Sequence, residues 1–292
     1  MKKNTIVITG GAGFVGSNLI NLLLKKTKFK IISIDNYTTG STKNHIKNMR
    51  LKYIKGDTIN IVKILKKPKN ILSVFHFGEF ARIYQSFINM SECINSNTIG
   101  SNAVFNYCLK HNIKLIYSAT SATLGNNGND KNLSPYAFTK AKNLELLENL
   151  KKWFNFKYEV IYFYNVYGPN QICKGKMATV IGIFENCFKA NKILTVVKPG
   201  SQSRRFTHIH DTVEICYLAW KNNKCRHYSI SNHKSFTILQ VAKMFGPKIK
   251  FLKERPGERF ASALTNLNLE NKVFKHFGKI QLKDYINNIT KK

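Results

Sequence analysis

Acidic residues are scarce in this chain: 15 Asp and Glu stand against 47 Lys and Arg over 292 residues, a formal charge of +32. So large an excess attracts anionic partners of every kind, from nucleic acid to phosphorylated small molecules. The excess is nearly all lysine, however, and it is spread along the chain in pairs with no basic arm. That is the pattern of a solvated surface, so nucleic acid is not the expected partner. No apolar run approaches the ~18 residues that span a bilayer, and no membrane partner is expected. The apolar stretch after Met1-Lys2-Lys3 ends at Gly10-Gly11, too short for a secretory leader. It reads as a first strand, and the protein is expected in the cytoplasm. Six cysteines (Cys93, Cys108, Cys173, Cys187, Cys216 and Cys225) contain no C-x-x-C pair. Their spacing argues against a zinc site or a disulfide framework and predicts free thiols in a reducing compartment. Internal repeats, low-complexity tracts and Pro/Ser-rich linkers are missing, and 43% hydrophobic with 21% charged residues is the composition of a folded chain.

What is present is alternation. Short β-branched runs over 5–9, 30–34, 52–55, 73–76, 114–117 and 158–163 read as strands. Helical periodicity separates them over 14–24, 97–110 and 135–153. The alternation predicts an α/β fold, a Rossmann-type doubly wound parallel sheet with right-handed crossovers over residues 1–165. From about Val166 the pattern loosens around Gly168-Pro169, Pro199-Gly200 and Pro256-Gly257. Residues 166–205 and 229–292 are assigned to a smaller C-terminal lobe over the carboxyl edge of the sheet, where open α/β sheets bind ligands. Residues 206–228 are assigned to a segment that returns to the main domain.

Between the first strand and the first helix runs Thr9-Gly-Gly-Ala-Gly-Phe-Val-Gly16. Gly11, Gly13 and Gly16 satisfy G-x-G-x-x-G, and Gly10, Gly13 and Gly16 satisfy G-x-x-G-x-x-G. Glycines let the backbone turn tightly and approach a pyrophosphate, which then sits on N–H groups at the positive end of the helix dipole. Asp35 closes the next strand, 19 residues after Gly16. A carboxylate there accepts from a ribose 2′-hydroxyl and repels a 2′-phosphate, so the expected cofactor is NAD and not NADP. Phe14, Val15 and Asn36 flank these positions and are expected to contact the cofactor with them.

Tyr136 and Lys140 stand four apart in Ser134-Pro-Tyr-Ala-Phe-Thr-Lys140. Ser134 suits a helix N-cap and Pro135 the first helical position. Residues i and i+4 then share a face and bring the ammonium beside the phenol. A free tyrosine titrates near pH ~10 and is a poor base at neutrality. A neighbouring ammonium, with the positive nicotinamide of NAD⁺, stabilises the phenolate and changes that.

With these motifs in place, nearly the whole chain resembles an extended short-chain dehydrogenase/reductase of the NAD-dependent nucleotide-sugar epimerase/dehydratase family. The resemblance implies Tyr136 as the base, Lys140 as the group that eases its ionisation and holds a ribose, and Thr120 as the hydroxyl bonding the reacting sugar oxygen. It also implies cofactor contacts at Asp57 and Thr58 in Gly56-Asp-Thr58, at Phe77 and Gly78 in Phe75-His-Phe-Gly-Glu79, and at Asn97. Asn165 in Tyr164-Asn-Val-Tyr-Gly-Pro169, Arg204 in Ser203-Arg-Arg-Phe206 and Arg255 in Glu254-Arg-Pro-Gly257 resemble the family's contacts to the diphosphate of a nucleotide sugar. Guanidinium forks suit that group because they bond it bidentately. Only seven of the 47 basic residues are arginines, so two at these places are informative.

The reaction turns on the two residues after Thr120. Family dehydratases read Thr-Asp-Glu and decarboxylases Thr-Ser-Glu, whereas this chain reads Thr120-Ser121-Ala122, nearest the 4-epimerases. The resemblance therefore implies a UDP-hexose 4-epimerase serving surface polysaccharide, working by transient oxidation to a keto sugar and hydride return. The alternatives are a nucleotide-sugar oxidoreductase or dehydratase that releases the keto sugar, and a catalytically silent NAD-binding protein. Three departures stand out. Tyr162 replaces a common arginine, the stretch from Thr120 to Tyr136 is short, and Glu79-Phe-Ala-Arg82 replaces small apolar residues. Glu79 and Arg82 are open to two readings, as substrate contacts or as a structural ion pair. His208 and His210, with Asp211, alternate along a predicted strand without a third convergent ligand; they and His76 read as structural, and no metal is expected. The helices carrying Asn97 and Tyr136 resemble the family's dimer pair and imply a homodimer.

Overall fold

The structure, a computed structural model, describes residues 3–257 and 273–291, the side chains of 125–128 excepted. Strand β1 (Thr5–Thr9) is buried at all its positions. Ile6 and Ile8 enter one core cluster and Val7 another, as the two-residue period of a strand dictates. Such a strand belongs in the middle of a sheet covered on both faces. It pairs in parallel with β2 (Lys30–Asp35) on one side and β4 (Ile71–His76) on the other. Strand β3 (Leu51–Lys55) lies outside β2. Beyond β4 come β5 (Lys114–Thr120), β6 (Tyr158–Phe163), β11 (His227–Ser231) and β14 (Val273–Phe277). The result is one parallel sheet in the order β14-β11-β6-β5-β4-β1-β2-β3. Helices α1 (Phe14–Lys26) and α8 (Ile209–Asn222) cover one face through Leu19, Leu23, Val213 and Cys216. Helices α5 (Ser101–Lys110) and α6 (Pro135–Phe154) cover the other through Val104, Phe105, Leu147 and Leu150.

Elements after residue 166 build a third core cluster. Helices α7 (Val180–Lys189), α9 (Ile238–Phe245) and α10 (Leu282–Thr290) enclose a core with Phe184, Val196, Phe245 and Ile286 at its centre. Short strand pairs edge it: β7 (Val166–Tyr167) with β10 (Thr207–His208), β8 (Leu194–Val197) with β13 (Ile249–Leu252), and β9 (Ser203–Arg205) with β12 (Ser235–Thr237). Strand β14 joins the main sheet although it lies within the stretch assigned to the lobe. Residues 258–272 of that stretch lie outside the described residues.

Two local expectations need correction. The helical path before α5 starts well upstream of Asn97, through α3 (Ile83–Ile88), α4 (Met90–Ile94) and a π-helical turn at Asn95–Gly100. The wide turn breaks the 3.6-residue period, so periodicity located only the downstream part. The strand expected through His208 and His210 ends at His208. Its Nδ1 accepts from His210 N at 3.2 Å and caps α8, which places His210 in the first helical turn.

His76 is fully buried between Thr9 Oγ1 at 2.7 Å and Ser101 Oγ at 2.9 Å. Burial pushes its imidazole down to about 4. The unfolded chain takes up this proton near pH ~6.5, so stability is complete above that value and drains as pH falls toward the folded value. The loss attributable to His76 reaches about 3 kcal/mol only once pH has fallen below the folded value. Thermal melts between pH 7 and pH 4.5 should show a falling Tm, and the fall should be smaller in His76→Gln.

Candidate active site

Strands β1, β2, β4 and β5 all end at one edge of the sheet, and β1 is the point where neighbours diverge to opposite sides. Such a switch point opens a crevice. Here it is a cleft of about 510 Å³. The β1–α1 loop supplies Gly10, Gly13, Phe14, Val15 and Gly16, and the end of β2 supplies Asp35 and Asn36. Asp57 and Thr58 follow β3, Phe77 and Gly78 follow β4, and Tyr136 and Lys140 come from α6.

The dinucleotide half is built for an anion. Gly13 is the N-cap of α1 and contributes no side-chain cap, so the first amides of the helix lack a side-chain acceptor from that position. Asp35 clamps the turn: Oδ2 accepts from Ala12 N at 2.9 Å and Oδ1 from Tyr37 N at 2.8 Å. Burial raises its carboxyl, against the pull of these backbone donors. Asn36 Nδ2 donates to Asp57 Oδ2 at 3.0 Å, while Asp57 Oδ1 accepts from Ile59 N at 3.0 Å. Backbone donors at one end of the cleft and a carboxylate at the end of β2 fit a dinucleotide such as NAD.

The acid–base half starts from the cap of α6. Ser134 Oγ accepts from Ala137 N at 3.1 Å, with Pro135 at the first helical position. Tyr136 N donates to Ser86 Oγ at 3.2 Å, which ties the helix start to α3. One turn on, the buried Lys140 donates to Ser118 O at 2.5 Å and to Glu79 Oε2, and lies 4.7 Å from the centre of the Tyr117 ring. Thr120 closes β5 and its Oγ1 accepts from Ala122 N at 3.2 Å; Ser118 and Ala119 line the cleft just before it.

Other expected residues lie elsewhere. Asn97 is fully buried, with Oδ1 accepting from Phe80 N at 2.7 Å and Nδ2 donating to Phe80 O at 3.0 Å. It braces the wall from behind and does not line the cleft. Asn165 sits at φ +35° and donates to Arg205 O at 2.9 Å. Arg204 is buried in β9 opposite Phe236, with Nη1 donating to Ser203 O at 2.8 Å. Arg255 is exposed, its guanidinium 5.0 Å from the centre of the Tyr84 ring. None of these three is among the residues that line the cleft.

The readings left open at Glu79 and Arg82 resolve differently for each. Glu79 forms an ion pair with Lys140, and not with Arg82. Arg82 lines the cleft, half-buried, with Nε donating to Met177 O at 2.8 Å and Nη1 to Ala81 O at 2.7 Å. Tyr162 points into the core, its hydroxyl 3.1 Å from His227 Nδ1, and Phe163 lines the cleft instead. Ile172 and Met177 also line the cleft; the sequence carries no motif that marks them. Among the described residues no three His, Cys, Asp or Glu side chains converge on a metal position. No described helix is long and apolar enough to cross a membrane, and all six cysteines are unpaired.

A dinucleotide crevice on a doubly wound sheet, with a Tyr–Lys pair on its wall, defines an extended short-chain dehydrogenase/reductase. Within that class the chain belongs to the NAD dependent epimerase/dehydratase family, whose model matches residues 6–231. It is 27% identical over 254 residues to ADP-L-glycero-D-manno-heptose-6-epimerase of Brachyspira hyodysenteriae, covering 82% of this chain and 79% of that one. It is 28% identical over 232 residues to a putative UDP-glucose 4-epimerase of Methanocaldococcus jannaschii, covering 74% of each. Among solved structures, UDP-N-acetylglucosamine 4-epimerase from Methanobrevibacter ruminantium M1, in complex with UDP-N-acetylmuramic acid, matches with a TM-score of 0.85 at 27% identity, over 100% of this chain and 98% of that one. The UDP-glucose 4-epimerase of Thermus thermophilus, in complex with NAD, shares the fold at 20% identity and a TM-score of 0.81, over 98% of each chain.

Proposed function

We propose that this enzyme inverts C4 of a nucleotide-diphosphate hexose, a UDP-hexose in the simplest case, through a transient keto sugar. The observation that carries the reading is the pairing of Tyr136 and Lys140 on the wall of a dinucleotide cleft, with Ser121-Ala122 after Thr120 where a dehydratase needs carboxylates. Bound NAD supplies a hydride acceptor that becomes the donor for the return step. Tyr136 takes the proton of the sugar hydroxyl, and Thr120 holds the same oxygen. Lys140 favours the phenolate and holds the cofactor ribose. Asn165, Arg204 and Arg255 are the residues we assign to the diphosphate.

The relatives named as epimerases support this reading, as does the absence of a carboxylate in the 121–122 step. Purified enzyme with trace NAD and UDP-glucose, UDP-N-acetylglucosamine or UDP-glucuronate tests it by NMR of the sugar ring. Interconversion of C4 epimers at constant NAD is expected. Net NADH accumulation points to an oxidoreductase, and a released 4-keto-6-deoxy sugar to a dehydratase; either sinks the proposal.

The same reading places the enzyme in the cytoplasm, feeding surface polysaccharide, as a homodimer. Exposed Phe87, Ile88, Met90, Ile99 and Phe138 concentrate on α3, α4, the π-helical turn and α6. Apolar side chains gathered this way mark an interaction surface. Light scattering at micromolar concentration should give twice the 33.5 kDa chain mass; a monomer would contradict the assignment.

A further inference from the structure

Glu79 stands where the resembling family has a small apolar residue, and it places a carboxylate directly behind the lysine of the Tyr–Lys pair. Its side chain is 2% exposed. Lys140 Nζ donates to Oε2, while Oε1 accepts from Ser101 Oγ at 2.8 Å, Tyr117 OH at 3.0 Å and Asn143 Nδ2 at 3.2 Å. The direction of these bonds is set from further back. Phe77 N and Gly78 N donate to Thr9 Oγ1 at 3.2 and 3.0 Å, so the Thr9 proton points to His76 Nδ1. His76 then carries its N–H on Nε2 and donates to Ser101 Oγ, and Ser101 passes its own proton on to Glu79. Every partner of Glu79 among the described residues is a donor.

Among the described residues near the pair, Glu92 on α4 is a further carboxylate, exposed to solvent at the cleft and facing Cys93. Burial pushes His76 on β4 down to about 4 and Cys93 on α4 up to about 11, and holds Tyr117 on β5 well above its ordinary range. All three are neutral near pH 7. Arg82, on the segment after β4, is the further cation beside Tyr136. The charge behind Tyr136 is therefore a matched lysine–carboxylate pair and not a lone ammonium.

The geometry points to Glu79 as a positioning residue: it pins Lys140 from behind and tempers the pull of that cation on the Tyr136 phenol and on the redox end of bound NAD. A lone ammonium favours the phenolate, and it favours the reduced, uncharged nicotinamide over the oxidised, positive one. A carboxylate within the same wall opposes both effects. Resting on the epimerase reading, this bias suits a reaction that has to give its hydride back.

The test compares wild type, Glu79→Gln, Glu79→Ala and Glu79→Asp. Glu79→Ala restores the small residue usual in the resembling family, which keeps a folded variant within reach should Glu79→Gln fail. Isothermal titration of cofactor-free protein with NAD⁺ and with NADH gives the ratio of the two dissociation constants. In Glu79→Gln and Glu79→Ala the ratio should move about tenfold toward NADH, and the acidic limb of the kcat profile should move about one unit to lower pH, while Glu79→Asp stays near wild type. An unchanged ratio and an unmoved limb in a folded variant, with activity lowered evenly at every pH, would overturn the proposal. So would the failure of both neutral variants to fold. If no nucleotide sugar is turned over, the epimerase reading falls, while the two binding constants still judge Glu79.

Discussion

Tyr136→Phe should lower kcat by two to four orders of magnitude, on the order of what a positioned general base contributes, while leaving the fold and NAD binding within a few-fold of wild type. Geometry separates these effects. Tyr136 is half-buried in the first turn of α6, where the helix start is held by Ser134 Oγ on Ala137 N and by Tyr136 N on Ser86 Oγ. Both contacts use backbone amides or the neighbouring serine, so the phenol oxygen can be deleted without loosening the helix. Lys140 keeps its place, because Glu79 and Ser118 O hold it and Tyr136 does not. Phenylalanine therefore removes one oxygen from an otherwise intact cleft. Circular dichroism, NAD titration and a single-turnover assay measure the three expectations separately. Activity that survives the change would show that another group takes the hydroxyl proton. Lost NAD binding would show that the phenol holds cofactor and not substrate.

The cofactor half of this site was legible because its residues are local. Gly10 to Gly16 are contiguous, Asp35 ends the neighbouring strand, and Tyr136 and Lys140 are one helical turn apart, so chain spacing alone brings each set together. The parallel sheet was legible for a related reason: strands buried on both faces, such as Ile6-Val7-Ile8, are short continuous apolar runs. What escaped was set by contacts between distant segments. Asn97 carries a family motif but spends its amide on Phe80, because the π-helical turn at Asn95–Gly100 aims it at the chain behind the cleft. Glu79 could not be assigned to substrate or to structure from sequence, since its partners Ser101, Tyr117, Lys140 and Asn143 come from three other elements. The alternation of His208 and His210 imitated a strand because capping a helix with a histidine at the end of a strand leaves the same pattern of side chains.

The second large effect concerns the glycine loop itself, and a pair of alanine substitutions separates what its glycines do. At Gly16 an added Cβ would stand 2.2 Å from Gly10 O and 2.7 Å from Gly11 Cα, both backbone atoms that cannot swing aside. Helix α1 must then move off the loop. Overpacking of this kind costs about 1–3 kcal/mol, and it also displaces the amides that would meet the pyrophosphate. Gly16→Ala should therefore lower Tm and weaken NAD binding by on the order of 100-fold, the equivalent of one or two lost charge-assisted hydrogen bonds. At Gly13 the same Cβ meets only Gly10 O, at 3.1 Å, and otherwise points into open space at the cleft. A few tenths of an ångström of give accommodate it in the empty protein, but the methyl occupies the place where a phosphate would approach. Gly13→Ala should keep a near-wild-type Tm and still lose NAD affinity. Calorimetric titration with NAD, beside thermal melts of the cofactor-free proteins, distinguishes the two. If Gly13→Ala binds NAD as tightly as wild type, the pyrophosphate does not lie against this turn, and the role of the loop is reduced to packing α1 on β1.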